Sequence, residues 1–190
     1  MGTRPDRDSS YGRRSFLNTA AAAAAALLVG ARVSAGYDAP AAAGERSLSF
    51  VNTHTGESVT AVYWADGSYR VEGLAAIDRV LRDHRTGEVR LIDRRLLEVL
   101  RLLRRDLGTK EPFHVISCYR SPQTNASLRN RGRAVAKHSL HMEGKAADVR
   151  IPGVPLDDLH EVAVARRAGG VGYYPGPSFI HVDVGRVRYW

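Results

Sequence analysis

The chain has 190 residues, of which 44% are hydrophobic and 25% are charged. This balance is typical of a globular protein and argues against a disordered or fibrous chain, and the length suits one domain. The formal net charge is +8 at neutral pH, but the basic helical stretches lack the interleaved aromatic residues of a base-stacking surface. We therefore expect no nucleic-acid partner, and such a surface suits another anionic polymer equally well.

The N-terminal segment has the features of an export signal. Arg13 and Arg14 form a twin-arginine pair before an apolar run over 20–29, and small residues at 33–35 suit a cleavage site. The run is shorter than the about 20 apolar residues that a membrane-spanning helix needs, so we expect no stable insertion after cleavage, with a retained anchor as the alternative. The predicted organisation is a twin-arginine signal over 1–35, a linker over 36–46 and the main domain over 47–190, located in the periplasm or cell envelope.

The rest of the chain alternates between short strand-like and helix-like segments. Two β-rich runs, 48–52 and 59–64, flank a glycine-containing turn and predict a hairpin. Asp93 is a helix cap before a leucine-rich periodic segment. The other predicted elements are a strand at 113–117, a short helix after Ser121-Pro122, a helix over 156–163, and a hairpin of strands at 171–174 and 179–184. Together they predict a small single α+β domain with a central antiparallel sheet flanked by helices.

Three residues in the C-terminal half are candidates for binding one metal ion. His141, Asp148 and His181 provide two imidazoles and one carboxylate, a set that catalytic zinc uses while its fourth position is left to water. Alternation along a strand puts His181 and Asp183 on one face, opposite apolar neighbours. We predict a zinc site in a surface cleft, with His138 as a competing ligand or as part of the cleft wall.

Cys118 is the single cysteine. The fold therefore cannot depend on an intramolecular disulfide, whatever the redox compartment. Its position at the end of a predicted strand favours a small buried side chain over a nucleophile. The fold must therefore be stabilised by packing, together with a metal ion.

The pattern Ser139-x-His141-x-x-Gly144-x-Ala146-x-Asp148 resembles the zinc motif of the D-Ala-D-Ala carboxypeptidase and dipeptidase family, which includes the LAS-type peptidases. Together with the runs 116–122, 169–174 and 179–183, it is similar to the YcbK-like (MepK-like) branch of murein endopeptidases. The resemblance implies a LAS/hedgehog-like α+β fold. It also implies that the substrate is a peptide cross-link of peptidoglycan.

The resemblance further implies roles for individual residues. The implied zinc ligands are His141, Asp148 and His181. Arg120 is expected to bind a substrate carboxylate through a bidentate contact, with an ordinary surface arginine as the alternative. Ser121 and His138 are expected to contact the substrate as well.

The general base is the least determined part of this prediction. Relatives of the dipeptidase type carry an acid three residues before the last zinc histidine, where this chain has Ser178. We expect Asp183 either to take the proton from the attacking water or to orient His181, and His138 is the other candidate base. The predicted function is a zinc-dependent murein endopeptidase. The alternative is a catalytically impaired, zinc-stabilised peptidoglycan-binding module.

Overall fold

The computed structural model describes residues 44–132 and 135–190, together with Met1. The predicted export signal, with Arg13 and Arg14, lies outside the described residues, as does most of the predicted linker. Over the described ranges, no helix is both long enough and apolar enough to cross a membrane.

The described chain consists of short strands interrupted by helices, which confirms the predicted α+β class. The strands are β1 (Arg46–Asn52), β2 (Ser58–Ala65), β3 (Ser68–Tyr69), β4 (Phe113–Ser117), β5 (Ala146–Arg150), β6 (Gly170–Tyr174), β7 (Phe179–Asp183) and β8 (Arg188–Tyr189). The helices are α1 (Val71–Val80), α2 (Arg94–Asp106), α3 (Pro122–Asn130) and α4 (Leu156–Arg166). A short 3-10 helix spans Leu140–Glu143.

Within the described residues the strands form one eight-stranded sheet in the order β3-β2-β1-β4-β5-β7-β6-β8. Most neighbours are antiparallel, but β1 pairs with β4 and β6 pairs with β8 in parallel. The sheet is therefore mixed, because β4 returns to β1 only after the α1 and α2 crossover that parallel pairing requires. Both β5 and β7 lie inside the sheet, next to each other.

The core is built mainly by α2 packing on the N-terminal half of the sheet. This helix begins after the predicted cap, Asp93, whose carboxylate accepts the backbone N–H of Arg95 at 2.9 Å. The fully buried residues of this part of the core are Leu48, Phe50, Leu96, Leu97, Leu100, Leu103 and Phe113. Burial of each such side chain contributes roughly 1.5–3 kcal/mol, so this region provides a rigid base for the strands beyond it.

A backbone hydrogen bond joins the 3-10 helix to the start of α2. The 3-10 helix ends at Gly144, which has a left-handed φ of 66°. A Cβ atom at this position would lie 2.6 Å from the carbonyl oxygen of Leu91, so only glycine fits. The carbonyl of Gly144 accepts the N–H of Asp93 at 2.9 Å.

Candidate metal centre

The structure brings together the three residues that the sequence singled out as metal ligands. The antiparallel register of β5 and β7 places Asp148 opposite His181. His141 comes from the 3-10 helix just before β5. All three side chains are buried, and their candidate ligand atoms lie within 4.8 Å of one another.

The three ligand atoms form a small triangle. His181 Nδ1 is 2.9 Å from Asp148 Oδ1 and 3.2 Å from His141 Nε2. The third side, from His141 Nε2 to Asp148 Oδ1, is 3.3 Å. Tetrahedral zinc with bonds of about 2.0–2.1 Å has ligand-to-ligand edges of roughly 3.3 Å. The triangle is close to the size that one small cation requires.

The outer nitrogen of each imidazole faces an acceptor. His141 Nδ1 is 2.7 Å from the carbonyl oxygen of Cys118, and His181 Nε2 is 3.1 Å from Asp183 Oδ2. Because carbonyl and carboxylate oxygens only accept, the outer nitrogens carry the protons. The inner nitrogens of the neutral rings therefore turn lone pairs toward each other and toward Asp148. Three converging lone pairs are favourable only with a cation among them, so this donor set fits a metal ion.

The electrostatics of the site also favour a positive charge. Burial acts to raise the pKa of Asp148, but the interactions with His141 and His181 outweigh burial and hold its pKa well below the usual range. Burial acts to lower the pKa of His181, yet the neighbouring carboxylates of Asp148 and Asp183 favour its protonated form and raise that pKa above the ordinary value. An ionised carboxylate and an imidazole that attracts protons are both suited to a cation.

Asp183 is 1% exposed, and both of its carboxylate oxygens are occupied. Oδ1 accepts the backbone N–H groups of Gly170 at 2.9 Å and Gly185 at 2.8 Å. Oδ2 accepts from His181 Nε2 at 3.1 Å and from Arg188 Nη2 at 2.7 Å. Burial acts to raise the pKa of Asp183, but these donors lower it well below its usual range. Asp183 lies behind the imidazole of His181, where it can orient the ring.

A cleft of about 730 Å³ opens beside the three ligand residues. Arg120 and His138, both predicted to contact the substrate, line it. Asp148 is the only carboxylate among the described lining residues, whereas Arg85 and Arg188 add further positive charge. The cleft is therefore suited to an anionic substrate.

Arg120 has unused hydrogen-bonding capacity. Its guanidinium is buried and makes long contacts, at 3.3 Å to Ser117 Oγ, 3.4 Å to Asn125 Oδ1 and 3.8 Å to Asp148 Oδ2. Its Nε forms no hydrogen bond with any described residue. Burial lowers the pKa of Arg120, although nearby Asp148 opposes this effect. A buried guanidinium with a free donor is a suitable partner for a carboxylate.

Ser121 does not lie in the cleft lining, and its polar groups are committed to the fold. Its hydroxyl accepts the backbone N–H of Thr124 at 3.1 Å, which caps α3. Its own N–H donates to Asp83 Oδ2 at 2.9 Å. The position of Ser121 therefore indicates a structural role, and the expectation that it binds substrate is not supported.

The sequence interpretation missed an aromatic wall on the cleft, formed by Tyr174, Phe179 and Trp190. The Tyr174 and Phe179 rings stack with centroids 4.7 Å apart, and the Trp190 ring lies 5.3 Å from that of His181. Tyr174 and Phe179 face each other across the predicted hairpin, which was the available signal. Trp190 follows β8, which is too short to produce a recognisable period.

Comparisons with known proteins identify the family of the chain. The family described as peptidoglycan L,D-endopeptidase MepK (Peptidase_M15_2) matches residues 40–190. The chain is 43% identical over 145 residues to the peptidoglycan L,D-endopeptidase MepK of Escherichia coli, covering 76% of this chain and 80% of the relative. It is 42% identical over 146 residues to the probable peptidoglycan L,D-endopeptidase MepK of Haemophilus influenzae, covering 76% and 78%. Because these matches extend over most of the described fold, the chain belongs to the MepK family of peptidoglycan L,D-endopeptidases.

Proposed function

We propose that this protein is a zinc-dependent peptidoglycan L,D-endopeptidase that hydrolyses peptide cross-links of murein. The observation that carries the proposal is the convergence of His141 Nε2, Asp148 Oδ1 and His181 Nδ1 beside an open cleft. Family membership supports the reaction class, since relatives of similar length are peptidoglycan L,D-endopeptidases by name.

Zinc is the proposed metal because two imidazoles and one carboxylate are typical of its catalytic sites. When bound, it polarises the scissile carbonyl group and lowers the pKa of a water molecule. The carbonyl of Cys118 and the carboxylate of Asp183 fix the two imidazoles by accepting their outer N–H groups. This leaves the inner nitrogens of His141 and His181 available as donors.

Arg120 is the proposed anchor for a carboxylate of the stem peptide. Stems that contain diaminopimelate provide such carboxylates beside the bond that is cut. Arg120 lines the cleft, and its buried Nε has no hydrogen-bond partner among the described residues. Binding by Arg120 would orient the stem while the scissile bond approaches the metal ligands.

His138 is the proposed general base. The cleft-lining carboxylate of the described residues, Asp148, already faces both ligand imidazoles. The oxygens of Asp183 are occupied by donors from four residues. His138 is exposed, lines the cleft and forms no hydrogen bond with a described residue. Its imidazole can therefore take a proton from the attacking water and return it to the leaving amine.

A zinc-stabilised wall-binding module without turnover is the second candidate. Ser178 occupies the place of the acid found in dipeptidase-type relatives, and it lies in the β6–β7 turn with a φ of 56°. The occupied carboxylate of Asp183 also weakens the case for a carboxylate base. In this reading the same cleft binds stem peptides and releases them uncut.

Purified protein incubated with peptidoglycan separates these two functions. We expect new amino groups and soluble muropeptides, loss of both on chelation, and recovery when zinc is restored. The variant His138→Gln should keep its zinc while turnover falls by about 10²- to 10⁴-fold. Zinc-dependent binding to the wall without released peptides would instead establish the module. Full turnover by His138→Gln would exclude His138 as the base.

Export through the twin-arginine route is proposed from the sequence alone. Arg13 and Arg14 are the residues that such a route reads. Replacing both with lysine should retain the protein in the cytoplasm, as measured by fractionation and immunoblotting. Unchanged export of this double variant would indicate another route and would leave the proposed activity unaffected.

A further inference from the structure

A second pocket, of about 200 Å³, adjoins the cleft. Its lining includes Arg85, Thr86, Gln123, Ser127, Leu128 and Arg131, and we call it the arginine pocket. Arg85 and Leu128 also line the cleft, so the two cavities meet at these residues. One water molecule occupies about 30 Å³ in the liquid, so the arginine pocket has room for one small charged group and several waters.

The two guanidinium groups of this pocket have no partner among the described residues. Arg85 and Arg131 are both exposed, and neither side chain forms a hydrogen bond or an ion pair there. By contrast, the nearby Arg82 pairs with Glu57 at 2.6 Å. Like charges that line one small pocket repel each other, so an anion between them would stabilise both.

The charge of Arg85 acts on the groups around the pocket. Burial lowers the pKa of His84 to about 4, and Arg85 acts in the same direction. Burial also lowers the pKa of Arg120, and Arg85 again contributes to that shift. Asp83 does not neutralise this charge for a ligand, because it is 1% exposed and accepts the backbone N–H groups of Ser121 and Arg85, each at 2.9 Å. The pocket therefore presents positive charge to the solvent.

The remaining lining residues suit an oxyanion better than a sugar or an apolar group. Thr86, Gln123 and Ser127 offer hydroxyl and amide donors beside the two guanidinium groups. The Thr86 hydroxyl accepts the N–H of Glu88 at 3.3 Å, which leaves its own hydrogen available to a ligand. Among the described lining residues there is no carboxylate to repel an anion and no aromatic ring on which an apolar face could pack.

We propose that the arginine pocket is a second anion site, which binds a carboxylate of a stem peptide neighbouring the cross-link that lies in the cleft. The inference rests on the proposed function, since it takes the polymer in the cleft to be peptidoglycan. Stem peptides repeat along that polymer and carry carboxylates, which match the planar donor fork of arginine. Because the pocket meets the cleft at Arg85, both can hold parts of one polymer.

Such a site acts as a tether. Once a neighbouring stem is held in the arginine pocket, the cross-link is presented to the cleft at a high effective concentration. The gain exists only for a polymer, because a minimal cross-link peptide has no neighbouring stem. The arginine pocket should therefore lower the KM for murein strands and leave kcat unchanged.

The test compares soluble murein strands with a minimal cross-link peptide, using the zinc-loaded full-length protein. Arg131→Gln is the main variant, because Arg131 lies outside the described cleft lining whereas Arg85 belongs to it. We expect the ratio of the murein KM to the peptide KM to rise by about 2- to 5-fold, the range for an exposed ion pair. Arg129→Gln is the matched control, since Arg129 is also exposed on α3 but does not line the pocket. It removes the same charge and should leave the ratio unchanged.

Binding identifies the anion without turnover. The ligands are murein strands and the same strands with their carboxylates converted to amides, added to His138→Gln protein whose cleft is saturated with the minimal peptide. The native strands should bind more tightly than the amidated strands, and Arg131→Gln should remove most of this difference. If the wild-type protein cleaves no murein, the proposed function fails, while the same binding measurement on the wild-type protein still tests the pocket.

Three results would overturn the inference. Equal losses in Arg129→Gln and Arg131→Gln would show a general effect of surface charge and not a site. Equal binding of native and amidated strands would exclude carboxylates as the ligand. Binding to phosphatidylglycerol vesicles that depends on Arg131, without such binding to murein, would assign the pocket to a lipid phosphate. If Arg131→Gln does not fold, Arg131→Lys decides by the same ratio, because lysine keeps the charge but lacks the planar fork.

Discussion

The two imidazoles of the candidate metal centre are supported in different ways. His141 donates to the main-chain carbonyl of Cys118 at 2.7 Å, whereas His181 faces the carboxylate of Asp183 at 3.1 Å. The first acceptor is neutral and belongs to the backbone. The second is charged and belongs to a side chain. The His141 side should therefore be insensitive to substitution of its supporting residue, while a single residue can tune the His181 side.

The charged support needs more of the surrounding structure. A buried carboxylate is unfavourable unless its oxygens are paired. Asp183 is paired by the backbone of Gly170 and Gly185 and by the side chain of Arg188. Its negative charge contributes to the raised pKa of His181, after burial has acted in the opposite direction. His181 is thus the stronger metal-binding imidazole, and its support requires more buried hydrogen bonds than that of His141.

The largest expected effect is the loss of zinc when one of the three metal ligands is removed, which tests whether His141 and His181 bind the same metal ion. Zinc should bind near one equivalent, and His141→Ala, Asp148→Ala or His181→Ala should each lose most of it, because a three-ligand site cannot spare a donor. Equilibrium dialysis with elemental analysis measures this. His160→Ala on α4, outside the described cleft lining, is the control. Full zinc in all three variants would require a new ligand set around His138.

Asp183→Asn sharpens the difference between the two supports. The amide keeps the shape of the side chain but removes its charge, so zinc affinity should fall by roughly 10- to 100-fold. Competition with a chromogenic chelator gives the affinity, and turnover is measured at saturating zinc. If Asp183 were instead the general base, affinity would hold and turnover would fall by about 10²- to 10⁴-fold.

Asp83→Asn is the matched test of a buried carboxylate that supports no imidazole. Asp83 accepts the backbone N–H groups of Ser121 and Arg85, each at 2.9 Å. Losing an acceptor for buried donors should lower the free energy of unfolding by about 1–3 kcal/mol. Zinc affinity should not change. Urea unfolding and zinc competition together measure both quantities, and a loss of zinc would remove the contrast with Asp183.

The same variant has a defined pH dependence. Burial acts to raise the pKa of Asp83, but hydrogen bonds involving Thr124, Ser121 and Arg85 lower it to about 2. A carboxyl group whose pKa falls on folding stabilises the fold above its unfolded pKa of about 3.9 and loses this contribution as pH falls. The unfolding free energies of wild type and Asp83→Asn should therefore converge between about pH 4 and pH 2. If the difference between the two unfolding free energies did not change with pH, the destabilisation would not come from the charge of Asp83.

The smallest expected effect is that of Cys118→Ala. The acceptor for His141 is the main-chain carbonyl, which the substitution keeps, so zinc affinity should stay close to wild type. Loss of the small buried side chain should lower the free energy of unfolding by about 1 kcal/mol. A fall in zinc affinity as large as that of Asp183→Asn would show that the two supports are not different in kind.

The donor set could be predicted because its residues have both chemistry and a local pattern. Alternation along β7 put His181 and Asp183 on one face, and the structure agrees. The side of the ring on which Asp183 lies could not be predicted. It depends on the backbone N–H groups of Gly170 and Gly185, which no side-chain pattern reveals.

Long-range pairing explains the remaining differences. Ser121 donates its N–H to Asp83, a partner 38 positions away. The parallel pairing of β8 with β6 brings Trp190 to the cleft, yet β8 has only two residues. Patterns within a short window cannot specify contacts of this kind.

The hydrogen bond from Asp93 to Gly144 has a consequence for amide exchange. Within the described residues, α2 contributes nothing to the cleft lining, yet its first turn is tied to the 3-10 helix that carries His141. Local opening of either segment breaks this bond, so the two share one opening equilibrium. Metal bound at His141 should slow deuterium uptake at the amide of Asp93. Conversely, a substitution at Leu96, deep in the leucine core, can weaken metal binding from a helix that the substrate never meets.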